Sequence, residues 1–158
     1  IVTSAGVSVG AFDFMRQVIE AKGSLNFWKV NMRPGKPLAF GTFSGIPLVG
    51  LPGNPVSAFV GCQVFVRPVI RKLTGRELVF SARRTAVIDQ PIESDGRESY
   101  LRAIVHNHGG KRTATLTGHQ GSGNLFSLVQ ANALLIVPSG VKSLPSGAEA
   151  EIWFFDDD

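Results

Sequence analysis

Two kinds of hydrophobic pattern follow one another along the chain, and the first is helical. Phe12, Met15, Val18 and Ile19 recur at the spacing of one helical face, which predicts a helix over residues 12–22. Short apolar runs predict strands around it: the end of a buried strand at residues 1–3, an alternating segment at 28–33, and a hairpin made of 38–43 and 46–51. This alternation of strands and helices predicts an α/β layer.

A second helix is predicted between two strong boundary signals. Asn54 is a favoured N-cap residue, Pro55 suits the first helical position, and Gly75 is the usual residue just past a helix end. Pro68 lies inside this helix and cannot donate a backbone hydrogen bond. We therefore expect a kink near residues 64–67.

Beyond Gly75 the pattern changes to short alternating segments of the kind that form strands. They lie at residues 85–88, 100–105, 112–117, 134–137 and 149–155, separated by clusters of Gly, Pro, Asn and Ser. Such a series predicts a small all-β sandwich or barrel. The domain organisation expected is therefore part of an α/β domain over residues 1–76, followed by a C-terminal β domain over residues 80–158.

Composition narrows the class of protein. Of 158 residues, 44% are hydrophobic and 18% are charged, as in an ordinary globular protein. The single cysteine, Cys62, excludes an internal disulfide, and no apolar stretch approaches the roughly 20 residues of a membrane helix. The net charge of +4 comes from scattered basic residues without interleaved aromatic residues, which disfavours a nucleic-acid-binding surface. Ile1 is not an initiator methionine and stands inside a strand pattern, so we expect a piece of a longer protein.

The glycine-rich segment between the first strand and the first helix is the first candidate site. Small residues at positions 4–10 allow a ligand to approach the backbone, and the helix N-terminus that follows favours an anion. A tight turn capped by Ser8 explains the same residues structurally. Asp13, in the first turn of the helix, is also explained by the helix dipole alone, and gains interest because it lies beside this loop.

Two further turns carry groups suited to an oxyanion. Arg33 and Lys36 flank a Pro-Gly turn, which allows two cations to converge. Residues 51–57 lead from a strand through a rigid turn into the second helix at Asn54. A solvated basic turn and a plain helix cap are the structural alternatives. The succession of two strand–loop–helix junctions with a cationic turn between them predicts a shared anion pocket at one edge of the layer.

The β half offers weaker signals. Arg102 interrupts an apolar strand, and His119 lies in the polar, glycine-rich loop 118–124. Structural explanations are sufficient for both residues: Arg102 as a strand residue that faces solvent, and His119 as a loop residue held by hydrogen bonds. No spacing of His or Cys suits a metal site, and no Ser-His-Asp order suggests a nucleophile.

Taken in order, these motifs resemble the molybdopterin molybdenumtransferase family, which includes gephyrin and the plant enzyme of molybdenum cofactor synthesis. The family pattern is approximately T-S-G-G-V-S-x-G-x-x-D, then K-P-G-K-P, then L-P-G-N-P-V-S, a helix and a β domain. The matching stretches here are residues 3–13, 33–37, 51–57, 100–103 and 117–122. The departures are Ala5 for the second glycine of a pair and Arg33 for a lysine, which keeps the charge but changes its geometry.

The resemblance implies a fold and an activity. The fold is a molybdopterin-binding, doubly wound three-layer α/β domain, of which this chain holds the C-terminal half, followed by a small β-barrel domain. The parent enzyme would insert molybdate into adenylylated molybdopterin (molybdopterin-AMP) with release of AMP and with assistance from Mg²⁺. The chain alone would carry only part of the site and is expected to be inactive.

The resemblance also implies roles for individual residues. Asp13 would be the catalytic residue and the Mg²⁺ ligand. The groups that bind the molybdate oxyanion would be Arg33, Lys36, Arg102 and Ser122. Those that bind the molybdopterin substrate would be Gly6, Val7, Ser8, Gly10, Pro52, Gly53, Asn54 and Pro55.

The partners implied by the resemblance are a small-molecule substrate and a second copy of the protein in a cytoplasmic homodimer, without nucleic acid or membrane. Two other functions stay open at this point. One is a protein-interaction module of the gephyrin type, for which Trp153 and Phe155 are the apolar surface candidates. The other is a nucleic-acid-binding β barrel, suggested by the pI near 9.6 and disfavoured by the missing aromatic ladder.

Overall fold

The computed structural model describes residues 1–4, 11–80 and 82–156, except for the side chains of residues 11–16. The chain forms two compact units, Ile1–Val79 and Phe80–Asp158. Among the described helices, none is long and apolar enough to cross a membrane. The elements of the first unit are β1 (Val2–Ser4), α1 (Ala11–Lys22), β2 (Gly23–Lys29), β3 (Met32–Arg33), β4 (Pro37–Phe43), β5 (Ile46–Leu51), α2 (Pro55–Gly61), a π-helical segment (Cys62–Val66) and α3 (Arg67–Leu73).

The sheet of the first unit has the strand order β1-β5-β4-β2. β1 and β5 are parallel, whereas β5 with β4 and β4 with β2 are antiparallel. The predicted α/β class and the predicted hairpin are confirmed, although the described sheet is mixed and not all parallel. Leu38, Val49 and Leu51 of the hairpin pack with Val66 of the π-helical segment to form the core of this unit.

Two strand predictions in this unit are wrong in detail. The segment predicted at residues 28–33 begins earlier, at Gly23, directly after α1. A Cβ at Gly23 would lie 1.9 Å from the Thr42 carbonyl oxygen, so only glycine permits this approach of the two strands. The first strand, expected to be buried, is an edge strand of the described sheet, and Ile1 and Val2 are 48% and 53% exposed.

The kink expected before Pro68 takes the form of a π-helical segment. Pro68 has no N–H to donate to Val64, so the regular α-helical ladder cannot continue through this turn. The Arg67 N–H donates instead to the Cys62 carbonyl, five residues back. α2 and α3 therefore form one interrupted helix, with the widened turn at the position that the proline dictates.

The second unit contains a five-stranded barrel, which confirms the predicted β-barrel class. Its elements are β6 (Arg84–Ile88), β7 (Ile92–Glu93), β8 (Glu98–His108), β9 (Lys111–Leu116), α4 (Phe126–Gln130), β10 (Ala133–Val137), β11 (Ser143–Leu144) and β12 (Glu149–Phe154). The strand order within this unit is β10-β12-β6-β9-β8, and β8 also pairs with β10 to close the barrel. β6 and β9 are parallel, and the other barrel pairs are antiparallel.

Alternate residues of the barrel strands fill its interior. Leu101, Ala103 and Val105 of β8 meet Leu135 and Val137 of β10 there. The five main strands match the five predicted segments closely, because each carries this alternation. The ribbon of β7 with β11 and the short helix α4 were not predicted, since neither is long enough to show a period.

Candidate functional site

Strand register brings the ends of β1 and β5 and the start of β4 to one edge of the sheet in the first unit. β1 is parallel to β5, and its last residue, Ser4, is paired with Leu51, the last residue of β5. β4 runs the other way and pairs Ala39 with Gly50, so it begins where β5 ends. The turn that follows Leu51 and the turn that precedes β4 therefore both lie at the edge where β1 ends.

Part of the predicted site lies outside the described residues. This applies to Gly6, Val7, Ser8 and Gly10 in the loop that follows Ser4, and to the side chain of Asp13. α1 begins at Ala11, so the backbone of Asp13 lies in its first turn, as predicted. Their roles stay predictions.

The cationic turn before β4 has a defined backbone and two exposed side chains. Gly35 has a φ of 103°, a region that favours glycine, and the Arg33–Pro34 peptide bond is cis. A Cβ at Gly35 would lie 3.6 Å from the Ser57 carbonyl oxygen, so the turn packs against the start of α2. The Val30 N–H donates to the Lys36 carbonyl at 3.0 Å. Arg33 and Lys36 are both exposed beside this edge.

The turn between β5 and α2 is held by its own helix cap. The Asn54 Oδ1 accepts hydrogen bonds from the Ser57 N–H at 3.1 Å and from the Ser57 hydroxyl at 3.4 Å. Pro55 occupies the start of α2, as predicted, while Gly53 and Pro55 are exposed and Pro52 is buried. The structural explanation of Asn54 is confirmed, and the contact of residues 52–55 with a pterin stays a prediction.

In the second unit the structural alternative for Arg102, a strand arginine that faces solvent, is wrong. Its side chain is on the outer face of β8 but is 0% exposed, because residues 118–127 fold over it. Nε donates to the Ser127 hydroxyl at 2.9 Å, Nη1 to the Gln120 carbonyl at 3.1 Å, and Nη2 to the Gly121 carbonyl at 3.1 Å. The predicted contact of Arg102 with an oxyanion stays a prediction, and the described role of its guanidinium is to hold this loop.

The same loop presents Ser122 to solvent. The Gly121 carbonyl before it accepts from Arg102 and also from the Asn124 N–H at 3.1 Å. The His119 Nδ1 accepts from the Gly121 N–H at 3.2 Å, which confirms His119 as a hydrogen-bonded loop residue. Several hydrogen bonds therefore fix the chain on the N-terminal side of Ser122, while Ser122 itself is exposed.

Sequence reasoning missed Gln120 as a residue that organises this site. Its side-chain amide accepts from the Arg102 N–H at 2.8 Å and donates to the Arg102 carbonyl at 3.1 Å. The signal available in the sequence was a polar amide in a glycine-rich loop, which does not reveal its distant partner on β8.

The described residues contain no obvious metal centre. No group of three or more His, Cys, Asp or Glu side chains lies close enough together to hold an ion within the described ranges. The side chain of Asp13, the predicted Mg²⁺ ligand, lies outside the described residues, so a Mg²⁺ site there stays a prediction.

Beside Arg102 on the outer face of β8, Tyr100 is buried. Burial, and then its hydrogen bond to Glu98, raise the pKa of the Tyr100 phenol, so the hydroxyl is protonated at neutral pH. Its ring contacts Trp153, with 5.8 Å between centroids. Trp153 is only 6% exposed, so the prediction of an apolar surface at Trp153 is wrong.

The exposed apolar side chains of this unit lie elsewhere. Among the described residues the large ones are Phe80, Val87, Leu125, Phe126 and Val129, of which three belong to α4 or the residue before it. Phe155, the second predicted surface residue, is half-buried.

Comparison with known protein families divides the chain as its two units do. Residues 1–72 match the family described as a probable molybdopterin binding domain. Residues 85–155 match the family described as the MoeA C-terminal region, domain IV.

The relatives of known name are mostly molybdopterin molybdenumtransferases. Molybdopterin molybdenumtransferase 2 of Mycobacterium tuberculosis is 36% identical over 97% of this chain and 39% of its own length. The molybdopterin molybdenumtransferase of Haemophilus influenzae is 35% identical over 96% of this chain and 38% of its own length. Gephyrin of Dictyostelium discoideum is 33% identical over 94% of this chain. The chain thus spans less than two fifths of the length of these relatives.

Solved structures give the same result. The molybdopterin biosynthesis MoeA protein from Pyrococcus horikosii superposes with a TM-score of 0.76 at 29% identity, over 98% of this chain and 37% of that one. A molybdenum cofactor biosynthesis protein from Pyrococcus furiosus superposes with a TM-score of 0.68 at 29% identity, over 84% of this chain.

Proposed function

The chain belongs to the molybdopterin molybdenumtransferase family, and we propose from this that it forms part of an enzyme that inserts molybdate into adenylylated molybdopterin and releases AMP. Its two units would be the molybdopterin-binding domain over residues 1–76 and the C-terminal β-barrel domain over residues 80–158. The observation that supports the proposal is that β1 and β5 end, and β4 begins, at one edge of the first unit's sheet.

At that edge Arg33 and Lys36 would bind the oxyanion. Molybdate is a dianion, and two exposed cations on one rigid turn can compensate both charges. Arg33 presents a planar fork that suits two oxygens at once, whereas Lys36 acts as a compact charge. The backbone that carries them is held by Gly35 and by the Lys36 carbonyl, so little freedom is lost on binding.

The segments on either side of this turn would hold the molybdopterin moiety. The turn at residues 52–55 is pre-formed by the Asn54 cap, and the loop at residues 5–10 follows the neighbouring parallel strand. Backbone N–H groups at such strand ends suit the phosphates of an adenylylated substrate.

In the second unit Ser122 would donate its hydroxyl to an oxygen of the anion. The support for this is its exposure on a loop that Arg102 and Gln120 hold in place. From the resemblance alone, we also propose that Asp13 is the residue of this chain that serves the Mg²⁺-assisted release of AMP. The working form would be a cytoplasmic homodimer, which sedimentation of the full-length protein tests.

Loss of the Lys36 charge tests the anion site. In the full-length protein, Lys36→Ala is expected to weaken molybdate binding by about tenfold, since one of two charge-assisted contacts is lost. The unfolding midpoint should be unchanged, because the side chain is exposed. Isothermal titration calorimetry measures the affinity for molybdate, and thermal denaturation measures the unfolding midpoint.

Lys22→Ala is the matched control. It removes the same charge from an exposed lysine of the same unit, but Lys22 accepts a hydrogen bond from Ser44 N–H and so lies at the opposite edge of the sheet. Equal weakening by both variants would mean that only net charge matters, and would refute a site at Lys36. A large loss of stability with unchanged affinity would show Lys36 to be structural.

A further inference from the structure

Two side-chain amides act as substitute strand partners along β8. Gln120 accepts from the N–H of Arg102 at 2.8 Å and donates to its carbonyl at 3.1 Å. Asn132 does the same at Val105, with distances of 2.8 and 3.0 Å. An exchange of both backbone bonds with one residue is what a neighbouring strand makes in an antiparallel ladder. Each amide therefore attaches its own segment to β8 by the same two backbone groups that a neighbouring strand would use.

The two amides differ in what they hold. Asn132 stands at the entry to β10, whose ladder with β8 continues from Ala133 onward. Gln120 stands within the loop 118–124, whose backbone has no comparable ladder and contains three glycines. Ordering each residue of such a loop costs about 1–2 kcal/mol of conformational free energy. The two hydrogen bonds between the Gln120 side chain and the backbone of Arg102, called the Gln120 clamp below, offset that cost at the point where the loop meets the barrel.

The Gln120 clamp also aligns the two carbonyl groups that accept hydrogen bonds from the Arg102 guanidinium. Because the Gln120 side chain is fixed to the backbone of Arg102, the Gln120 and Gly121 carbonyls lie within 3.1 Å of Nη1 and Nη2. Ser122 follows directly and is exposed, and the same stretch of backbone carries its hydroxyl. The direction in which that hydroxyl points therefore depends on how residues 120 and 121 are held.

We propose that Gln120 is a positioning residue, which fixes the loop so that Ser122 meets the oxyanion. The inference rests on the proposed function, since it takes molybdate as the ligand of Ser122. Gln120 itself does not contact the anion; it acts through the backbone of residues 120–122. Asn132, with the same chemistry on the same strand, carries no group of the site.

This pair allows a matched experiment in the full-length protein. Gln120→Met and Asn132→Leu each replace an amide by an apolar side chain of similar size. Both are expected to lower the free energy of unfolding, because each removes two hydrogen bonds to the backbone of β8. Gln120→Met also removes the exposed bond from the Gln120 Nε2 to the Gly118 carbonyl at 3.2 Å, so its loss should be slightly larger. Only Gln120→Met is expected to raise the Kd for molybdate, by about tenfold, with the KM for molybdopterin-AMP unchanged.

Hydrogen exchange provides a readout that does not depend on activity. Amides of residues 119–125 should exchange faster in Gln120→Met and at the wild-type rate in Asn132→Leu. If Gln120→Met fails to fold, the comparison is made with Gln120→Glu and Asn132→Asp. These keep the acceptor for the backbone N–H and lose the donor to the carbonyl.

Three outcomes decide the matter. The role of Gln120 would be overturned if both variants changed the Kd for molybdate and the hydrogen exchange of the loop equally, or if neither variant changed them. Faster loop exchange with unchanged molybdate affinity would equally overturn it, because the ordered loop would then not serve the anion. A wild-type protein that binds no molybdate would instead refute the proposed function, and the exchange comparison would still decide whether Gln120 orders the loop.

Discussion

Replacement of Arg102 by methionine tests whether its guanidinium holds the second unit together. Methionine fills a similar volume but has no donor, so the three described bonds to Gln120, Gly121 and Ser127 are lost at once. A hydrogen bond from a charged group contributes about 1.5–3 kcal/mol net when buried. The two carbonyl acceptors are only partly buried and can bind water, so the lower part of that range applies to them. With about 1.5 kcal/mol for each of these two bonds and 1.5–3 kcal/mol for the buried bond to Ser127, the expected loss is about 4.5–6 kcal/mol.

The two tryptophans of the sequence make this loss measurable in one unit. Trp28 lies in the first unit and Trp153 in the second, close to Tyr100. In a Trp28→Phe background, urea unfolding followed by Trp153 fluorescence reports the barrel alone. The control is Lys111→Met, which also replaces a cation by methionine but at an exposed site, and should change stability by less than about 0.5 kcal/mol.

A loss below about 1 kcal/mol for Arg102→Met would contradict the structural role argued here. If molybdate binding were abolished in that same variant, the main role of the guanidinium would be to bind the anion, and its support of the loop would be secondary. A loss of the expected size, with the loop amides in fast exchange, would show that Arg102 acts by holding residues 118–127.

Two further predictions concern backbone geometry and pH. Gly35→Ala should destabilise the first unit by about 1–3 kcal/mol in thermal denaturation, because the φ of Gly35 is 103°. The control is Gly123→Ala, which should be nearly neutral because Gly123 lies in open space and does not have a positive φ. Equal losses of stability in the two variants would contradict this prediction. Tyr100 is the single tyrosine of the sequence, and its raised pKa means that the folded state keeps the phenol proton at a pH where the unfolded state releases it. The free energy of unfolding should therefore fall as pH rises above about 10, by up to about 1.4 kcal/mol per pH unit. Tyr100→Phe should remove that part of the pH dependence. Urea unfolding of both proteins between pH 8 and 11 measures this, and the same pH dependence in both would refute the prediction.

Features set by neighbouring residues were predictable from the sequence. The start of α2 follows from Asn54 and Pro55, whose cap and ring act within one turn. The hairpin of β4 and β5 follows from two apolar runs joined by Ser44-Gly45, both at positive φ. The five barrel strands likewise follow from alternation within each segment. The site motifs could be found because they occur at the ends of these elements.

Features that depend on residues distant in the chain were not predictable. The position of β2 depends on the approach of Gly23 to Thr42, and the burial of Arg102 depends on oxygens supplied by residues 120, 121 and 127. The same is true of Gln120, whose amide was visible only as one polar loop residue. No local pattern records which backbone group a side chain will meet after the barrel closes.

The sequence by itself thus determined the type and order of the elements, the α/β and β-barrel classes, and the three turns with their cations. Tertiary structure decided the register by which β1 and β5 end, and β4 begins, at one edge of the sheet. It also decided that Arg102 faces a folded loop and not water. The physical reason is the range of the interactions. Caps, turns and periodicity act over a few residues, whereas register and burial are settled by contacts between segments that only the folded chain brings together.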